Sequence, residues 1–175
     1  MSLILETERL QLRVPSTDDA PFFLELLNDP DWHRFVNDPG VRDLAAAAAW
    51  VESRLLQLMK EHGFTLYLVE RKSDQAPLGL CGLVKRDSLE HPDLGFGFLP
   101  QFRRQGIAAE AAEACIILAR DHFSIERLYA ITAQDNDPSA ALLRKLGFTS
   151  DGLQEMEGED IPLARFVLPL KTPEQ

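Results

Sequence analysis

The sequence predicts an α/β (α+β) protein in which helices cover both faces of a mixed, mostly antiparallel twisted sheet. Three observations lead to this fold class. Short segments of alternating apolar residues, typical of half-buried strands, occur near both ends of the chain. Segments with helical periodicity separate them. A strand-like segment, Asp93–Leu99, is followed within a few residues by an alanine-rich helix. The order β, two helices, three β, α, β, α, β, β then indicates a mixed sheet flanked by helices.

The first half of the chain is predicted to hold one strand and two main helices. Residues 7–14 place Leu10, Leu12 and Val14 on one face, which indicates a half-buried strand. Residues 16–19 supply an N-cap for a helix that Asn28-Asp29-Pro30 ends. Residues 31–40 are predicted as a short helix and a loop, and a long helix covers residues 43–61 until Gly63 stops it. The apolar stripe predicted for the long helix is Leu44, Ala48, Val51, Leu55 and Met59.

The second half alternates strands with two helices. Strands are predicted over residues 64–70, 77–85 and 92–99, with turn residues between them. A helix over 105–122 and a strand over 127–133 follow. Asp137 is predicted to cap the next helix, with Pro138 at its first position and Gly147 at its end. Strands over 148–153 and 162–168 complete the sheet.

Length and charge limit the possible classes of protein. The chain has 175 residues, which predicts a single domain over residues 1–175. A formal net charge of −10 disfavours a nucleic-acid surface and is compatible with a cationic amine substrate, although acidic soluble proteins are common. There is no apolar run of roughly 20 residues and no secretory signal pattern, so we expect a cytoplasmic protein without a membrane partner. The two cysteines, Cys81 and Cys115, lie in apolar segments and are predicted to be buried free thiols.

The segment Gln101–Ala109 carries the most chemical information. It places Arg103, Arg104 and Gly106 between a strand and the start of a helix. The first turn of a helix has N–H groups without intrahelical partners, and its dipole favours an anion. Glycine lets the backbone approach a phosphate closely. The segment is therefore predicted to bind a diphosphate.

Three motifs carry a resemblance to a known family. The pattern from Arg103 to Ala108 resembles the acetyl-CoA-binding signature of the GNAT N-acetyltransferases. The pair Asn136-x-x-Ser139, followed by Leu146-Gly147-Phe148, is similar to the RimJ/RimL-like branch that acetylates ribosomal-protein N-termini, as is the opening segment 6–13. The resemblance covers about residues 5–168. It implies a V-shaped splay between the central strands 94–99 and 128–133, and acetyl-CoA as co-substrate without a metal.

The resemblance also assigns the residues that hold the cofactor. A backbone N–H within residues 98–100 is expected to polarise the thioester carbonyl. Gly95 and Gly97 fit a strand that bulges or admits close backbone approach, or they relieve crowding in a twisted strand. Asn136 is expected to bind the pantetheine amides, unless it is only a loop residue. The residues predicted to bind the cofactor are Phe98, Leu99, Arg103, Arg104, Gln105, Gly106, Ile107, Ala108 and Asn136.

Two side chains are predicted to act as catalytic groups. Ser139, at the start of a helix, is expected to protonate the leaving thiolate; the alternative is a helix cap. Many relatives carry a tyrosine a few residues later, where this chain has Leu142 and Leu143. Asp93 is the candidate base, directly or through water, and the alternative is an exposed aspartate at a strand end. Asp87 and Glu90 are weaker candidates.

The acceptor is expected to be a primary amine that attacks acetyl-CoA directly in a ternary complex. An α-amine has a pKa near 8, so neutralising it at pH 7.5 costs about 0.5–1 kcal/mol, against about 4 kcal/mol for a lysine. A peptide N-terminus, an amino acid or a small amine is therefore favoured. Trp32 and Phe35 are predicted to contact this substrate. The acidic residues of segment 155–160 could receive a cation, or form a solvated hairpin.

Two other function classes fit parts of this pattern. One is a protein of the same fold that binds CoA as a sensor without catalysing transfer. The other is a nucleotide-phosphate enzyme, which is disfavoured because no Lys-Ser/Thr pair follows Gly106 and no second glycine motif is present. We expect a monomer or a homodimer.

Overall fold

A single eight-stranded sheet organises the protein. The structure, a computed structural model, describes residues 3–170; the remaining positions of the predicted domain, 1, 2 and 171–175, lie outside the described residues. The strands stand in the order β1-β2-β3-β4-β5-β6-β8-β7. All neighbouring strands are antiparallel except β5 and β6, which are parallel. The strands are β1 Leu3–Glu6, β2 Leu10–Arg13, β3 Leu66–Arg71, β4 Pro77–Val84, β5 Asp93–Phe98, β6 Arg127–Thr132, β7 Thr149–Gln154 and β8 Leu163–Pro169.

Helices pack on both faces of this sheet, so the predicted fold class is confirmed. The helices are α1 Ala20–Leu27, α2 Pro30–Phe35, α3 Leu44–Trp50, α4 Gln57–His62, α5 Ile107–Asp121 and α6 Asp137–Lys145. Successive residues of a strand point to opposite faces. Accordingly, Tyr67 packs in the hydrophobic cluster that holds α5, and Leu68 packs in the cluster that holds α1 and α3. Cys81 and Cys115 are buried free thiols, as predicted.

An N-terminal hairpin was not predicted. Strand β1 pairs with β2, where the sequence pattern indicated only one strand from residue 7. The turn between the two strands is held by α5. Arg9 Nε lies 2.7 Å from Glu110 Oε1, and Arg9 Nη1 donates to the Gln105 carbonyl oxygen at 2.9 Å. Four residues with mixed burial carry little periodic signal, so β1 could not be distinguished from an irregular terminus.

The long helix over residues 44–62 contains a wide turn. Residues Val51–Leu56 form a π-helical segment between α3 and α4, and Gly63 ends the helix at φ +81°. The residues that it buries are Ala47, Val51 and Leu55, whereas Leu44 is exposed. The predicted stripe was therefore wrong at its start, because Leu44 lies on the solvent side of the first turn. Among the residues described, no helix has the length and apolar character needed to cross a membrane.

A glycine on β4 permits close packing of two strands. A Cβ at Gly82 would overlap the carbonyl oxygen of Thr65 and lie 2.8 Å from Leu66 Cα. Both are backbone atoms that the sheet fixes. We expect Gly82→Ala to lower the free energy of unfolding by about 3 kcal/mol, because strands β3 and β4 must separate. Chemical denaturation measures this change.

The paired position on β5 supplies the control. Gly95 lies opposite Gly82, and its Cβ would meet two side-chain methyl groups, of Leu66 at 2.9 Å and of Val84 at 3.9 Å. Since a side-chain tip can move, Gly95→Ala should cost about 1 kcal/mol or less. Equal losses in the two variants would show that the contact with Thr65 is not the cause.

Candidate functional site

The two parallel strands separate along most of their length. Asp93 and Tyr129 form the one residue pair in their register, and Tyr129 N–H donates to the Pro92 carbonyl at 2.9 Å. Beyond this pair the strands diverge toward their carboxyl ends. The predicted V-shaped splay is thereby confirmed, with its closed end at Asp93.

The open part of the splay exposes backbone groups of β5. Leu99 N–H donates to the Leu78 carbonyl on β4 at 3.0 Å. Because the direction of backbone groups alternates along a strand, those of Phe96 and Phe98 point away from β4 and into the gap. Of the three residues predicted to polarise a carbonyl, Leu99 already uses its N–H, and Pro100 has none. Phe98 N–H is therefore the candidate donor.

No bulge occurs in β5, so the bulge, one of the two arrangements predicted for Gly95 and Gly97, is wrong, whereas close backbone approach stays a prediction. Its register with β4 is regular from Gly79/Phe98 to Val84/Asp93. The alternative interpretation, relief of crowding, fits Gly97: a Cβ there would lie 2.7 Å from Cζ3 of Trp32. The indole of Trp32 thus lies against the strand backbone beside the gap. Its Nε1 is buried without a hydrogen-bond partner among the described residues.

The turn after β5 presents a row of backbone amides. Arg104 and Gly106 both adopt left-handed backbone conformations, with φ of +63° and +76°. Helix α5 makes its first bond from Glu110 N–H to the Gly106 carbonyl. The N–H groups of residues 107–109 therefore have no intrahelical partner, as at any helix start. Consecutive N–H groups in such a turn form an anion-binding concavity.

The two arginines of this turn have different surroundings. Arg104 is exposed and has no ion-pair partner within residues 3–170. The Arg103 guanidinium instead donates to the Phe98 carbonyl and to Asp29 and Asp31. Arg104 is thus available to an external anion, whereas the contacts of Arg103 lie within the protein.

Helix α6 begins at the same end of the gap. Its N-cap is Asn136, whose Oδ1 accepts from Ser139 N–H at 3.3 Å, so the predicted cap at Asp137 is wrong. Asn136 and Asp137 are both common N-cap residue types and are adjacent, so the sequence alone did not show which of them caps the helix. Ser139 contributes its N–H to the cap, which leaves its hydroxyl free for other partners. The Asn136 amide nitrogen has two donors and no hydrogen-bond partner among residues 3–170, and Asn136 lines the cavity described below.

These groups surround one cavity of about 520 Å³, a size typical of ligand sites. Of the predicted residues, Leu99, Gln105 and Asp93 do not line it. Asp29, Asp31 and Lys145 do, although the sequence pattern indicated only a helix end for Asp29. The predicted residues on its wall are Trp32, Phe35, Phe98, Arg103, Arg104, Gly106, Ile107, Ala108, Asn136 and Ser139.

Asp93 lies at the closed end of the splay. It is 1% exposed, so the alternative of an exposed strand-end residue is wrong. Arg86 Nε lies 3.2 Å from Asp93 Oδ1. Burial raises the pKa of the Asp93 carboxyl above its usual value, and the charge of Arg86 opposes this shift. A carboxylate with a raised pKa is a stronger base than a solvated one.

The acidic hairpin between β7 and β8 stands apart from the cavity. Glu155, Glu157, Glu159 and Asp160 are exposed, and none of them lines the cavity. Of the two alternatives for segment 155–160, a solvated hairpin therefore fits the structure.

Comparison with known proteins identifies what the chain is similar to. A family profile described as acetyltransferase (GNAT) domain matches residues 9–149. The uncharacterized N-acetyltransferase YoaA of Bacillus subtilis (strain 168) is 22% identical over 151 residues, which cover 86% of this chain and 85% of YoaA.

Two solved structures share the fold. An acetyltransferase from Agrobacterium tumefaciens str. C58 has a TM-score of 0.80 at 22% identity, covering 96% of this chain and 94% of that one. RimL, the ribosomal L7/L12 alpha-N-protein acetyltransferase in complex with coenzyme A, has a TM-score of 0.82 at 17% identity, covering 97% and 98%.

Proposed function

We propose a function from one premise: the chain belongs to the GNAT acetyltransferase family and is an N-acetyltransferase. The family expected from the sequence motifs is thereby confirmed. Within that activity, we propose that a primary amine of low pKa attacks acetyl-CoA directly in a ternary complex. We place it in the RimJ/RimL-like branch, as a cytoplasmic single-domain protein that acts as a monomer or homodimer.

The observation that carries the proposal is the splay between β5 and β6, with two helix N-termini at its open end. Opening a sheet leaves strand N–H and C=O groups that need partners. The pantetheine arm carries amides that can pair with the backbone groups of Phe96 and with the Phe98 N–H, since Arg103 already donates to the Phe98 carbonyl. The left-handed turn at Arg104 and Gly106 adds donors for a diphosphate. Backbone groups without partners among residues 3–170 are thus the ones that coenzyme A would satisfy.

Several groups on the wall of the cavity have separate roles in this proposal. Arg104 and the amides of residues 106–109 bind the diphosphate. Asn136 Nδ2 binds a carbonyl of the pantetheine arm. Phe98 N–H polarises the thioester carbonyl, and the Ser139 hydroxyl donates its proton to the departing thiolate. Acetyl-CoA supplies the activated acyl group.

The choice of amine substrate follows from the position of the candidate base. Asp93 does not line the cavity, so we propose that it accepts the ammonium proton through a water molecule. An α-amine needs only about 0.5–1 kcal/mol to lose its proton at pH 7.5, against about 4 kcal/mol for lysine. RimL acts on an α-amine, as its name states. We therefore propose a peptide N-terminus, an amino acid or a small amine as acceptor.

A panel of acceptors tests this function. Release of CoA from acetyl-CoA would be measured with α-amines, small amines and N-acetyl-lysine amide. We expect turnover with one or more low-pKa amines, and a rise in Tm with acetyl-CoA but not with ATP or NAD, since a ligand that binds only the native state stabilises it. Stabilisation by acetyl-CoA without turnover on any amine would instead favour the CoA-binding sensor.

The role of Asp93 is tested by its pH profile. We expect Asp93→Asn to lower kcat about tenfold with an α-amine, a modest loss because much of this amine is already neutral at pH 7.5. The part of the acidic limb of the kcat/KM profile that titrates with Asp93 should disappear, whereas the ionisation of the α-amine near pH 8 should remain. The exposed Asp18→Asn, which does not line the cavity, is the control. An unchanged profile and rate in Asp93→Asn would show that Asp93 is not the base.

Stability gives a second readout for the same variant. The folded pKa of Asp93 lies above its unfolded value of ~3.9, so the folded state binds the extra proton. Stability from this residue is therefore lost as pH rises from about 4 through the folded pKa. The Tm of the wild type should fall relative to that of Asp93→Asn over this window.

A further inference from the structure

The side chain of Arg103 joins three separate parts of the site. Its Nε and Nη2 donate to the Phe98 carbonyl at 3.2 and 2.9 Å. Nη2 also lies 3.1 Å from Asp29 Oδ2, and Nη1 contacts Asp31 Oδ2. Arginine has five N–H donors in a fixed plane, and these contacts use four of them. The guanidinium therefore has little capacity left for a phosphate.

The Phe98 carbonyl explains why such a contact is needed. This carbonyl points into the splay, where the sheet would normally offer it an N–H of β6. A backbone carbonyl without a partner costs free energy comparable to a lost hydrogen bond. Arg103 replaces the missing strand as the donor. It thereby gives the carbonyl at the end of β5 a hydrogen-bond partner while β5 and β6 stay apart.

The acidic partners of Arg103 connect the Phe98 carbonyl to the wall of the cavity. The Asp29 side chain is only 8% exposed, and Asp31 is the second residue of α2, next to Trp32. The indole of Trp32 lies against Gly97. The ion pairs therefore hold the turn between α1 and α2 against Gly97 and Phe98, the last two residues of β5.

We infer that Asp29 and Arg103 are a positioning pair that holds the cleft open for the thioester arm, and that Arg103 is not a phosphate ligand. This inference rests on the proposed function, because it assigns a role within the CoA site. Loss of the pair should impair binding of the pantetheine arm itself. Loss of a phosphate ligand should impair only molecules that carry the diphosphate.

Two ligands separate these roles: CoA, and pantetheine, which has the same arm without the diphosphate. Their dissociation constants would be measured with the full chain. We expect Arg103→Gln to weaken both ligands by a similar factor of roughly ten. Arg104→Gln, the matched control on the same turn, should weaken CoA by a similar factor and leave pantetheine unchanged. If Arg103→Gln weakened CoA alone, Arg103 would be a phosphate ligand and the inference would be wrong.

A milder variant protects the test against a folding defect. Asp29→Asn keeps an oxygen acceptor for Nη2 and removes only the charge. It should reproduce the parallel loss of both ligands, and the double variant should be no worse than Arg103→Gln, because contacting residues are not additive. Additive losses would overturn the pairing. A wild-type chain that binds no CoA would overturn the proposed function first, and with it this inference.

Discussion

Replacing Ser139 by alanine is expected to lower kcat roughly a hundredfold, the lower end of the range for a general acid. Ser139 lies in the first turn of α6, on the wall of the cavity. The helix N-terminus favours negative charge, so a thiolate forming there is stabilised before it takes the proton. Asn136 accepts from the Ser139 backbone N–H, not from its hydroxyl, so the cap survives the substitution. Steady-state kinetics would give kcat, and calorimetry the CoA dissociation constant, which should barely change.

The control for this prediction is a serine outside the site. Ser73 is exposed in the turn between β3 and β4 and does not line the cavity. Ser73→Ala should leave kcat and CoA binding unchanged. Unchanged turnover in Ser139→Ala would remove the proton-donor role, and the α6 N-terminus alone would then have to stabilise the thiolate.

Gly106→Val is expected to weaken acetyl-CoA binding at least about tenfold. Gly106 has φ +76° at the N-cap of α5. In this left-handed conformation a side chain costs roughly 1–2 kcal/mol, more for a β-branched one. A Cβ would also lie 3.4 Å from Arg9 Nη2. The turn should relax to a negative φ and turn the amides of residues 107–109 away from the diphosphate.

A second left-handed glycine separates strain from function. Gly158 has φ +84° in the exposed β7–β8 turn, and a Cβ there would meet no atom within 4 Å. Gly158→Val should carry a similar backbone cost and lower Tm, but leave acetyl-CoA affinity unchanged. Equal affinity losses in both variants would mean that reduced stability, not the geometry of the turn, causes the effect.

Local pattern predicted most elements of the fold, because strand alternation and helix periodicity are properties of neighbouring residues. The helix observed over Ile107–Asp121 is an example, although it begins two residues after the predicted start at residue 105. The splay between two strands could not be predicted from local pattern. Periodicity gives no sign that β5 and β6 separate, and the prediction depended on resemblance to a family.

The contacts between distant residues were the ones that could not be predicted. Asp29 lies 74 residues from Arg103 in the sequence. Because the segment Asn28-Asp29-Pro30 is already explained as the end of a helix, nothing in it indicated a distant partner. Asp93 was expected on the substrate side, but the direction of a side chain at a strand end depends on the register with β4 and β6. Such features follow from tertiary packing, which no single segment encodes.

The contact between Arg9 and the carbonyl of Gln105 has a practical consequence. Arg9 holds the loop that precedes α5 from outside, although it does not line the cavity. A shortened gene product starting at Leu10 would keep most of the sheet and lose this brace.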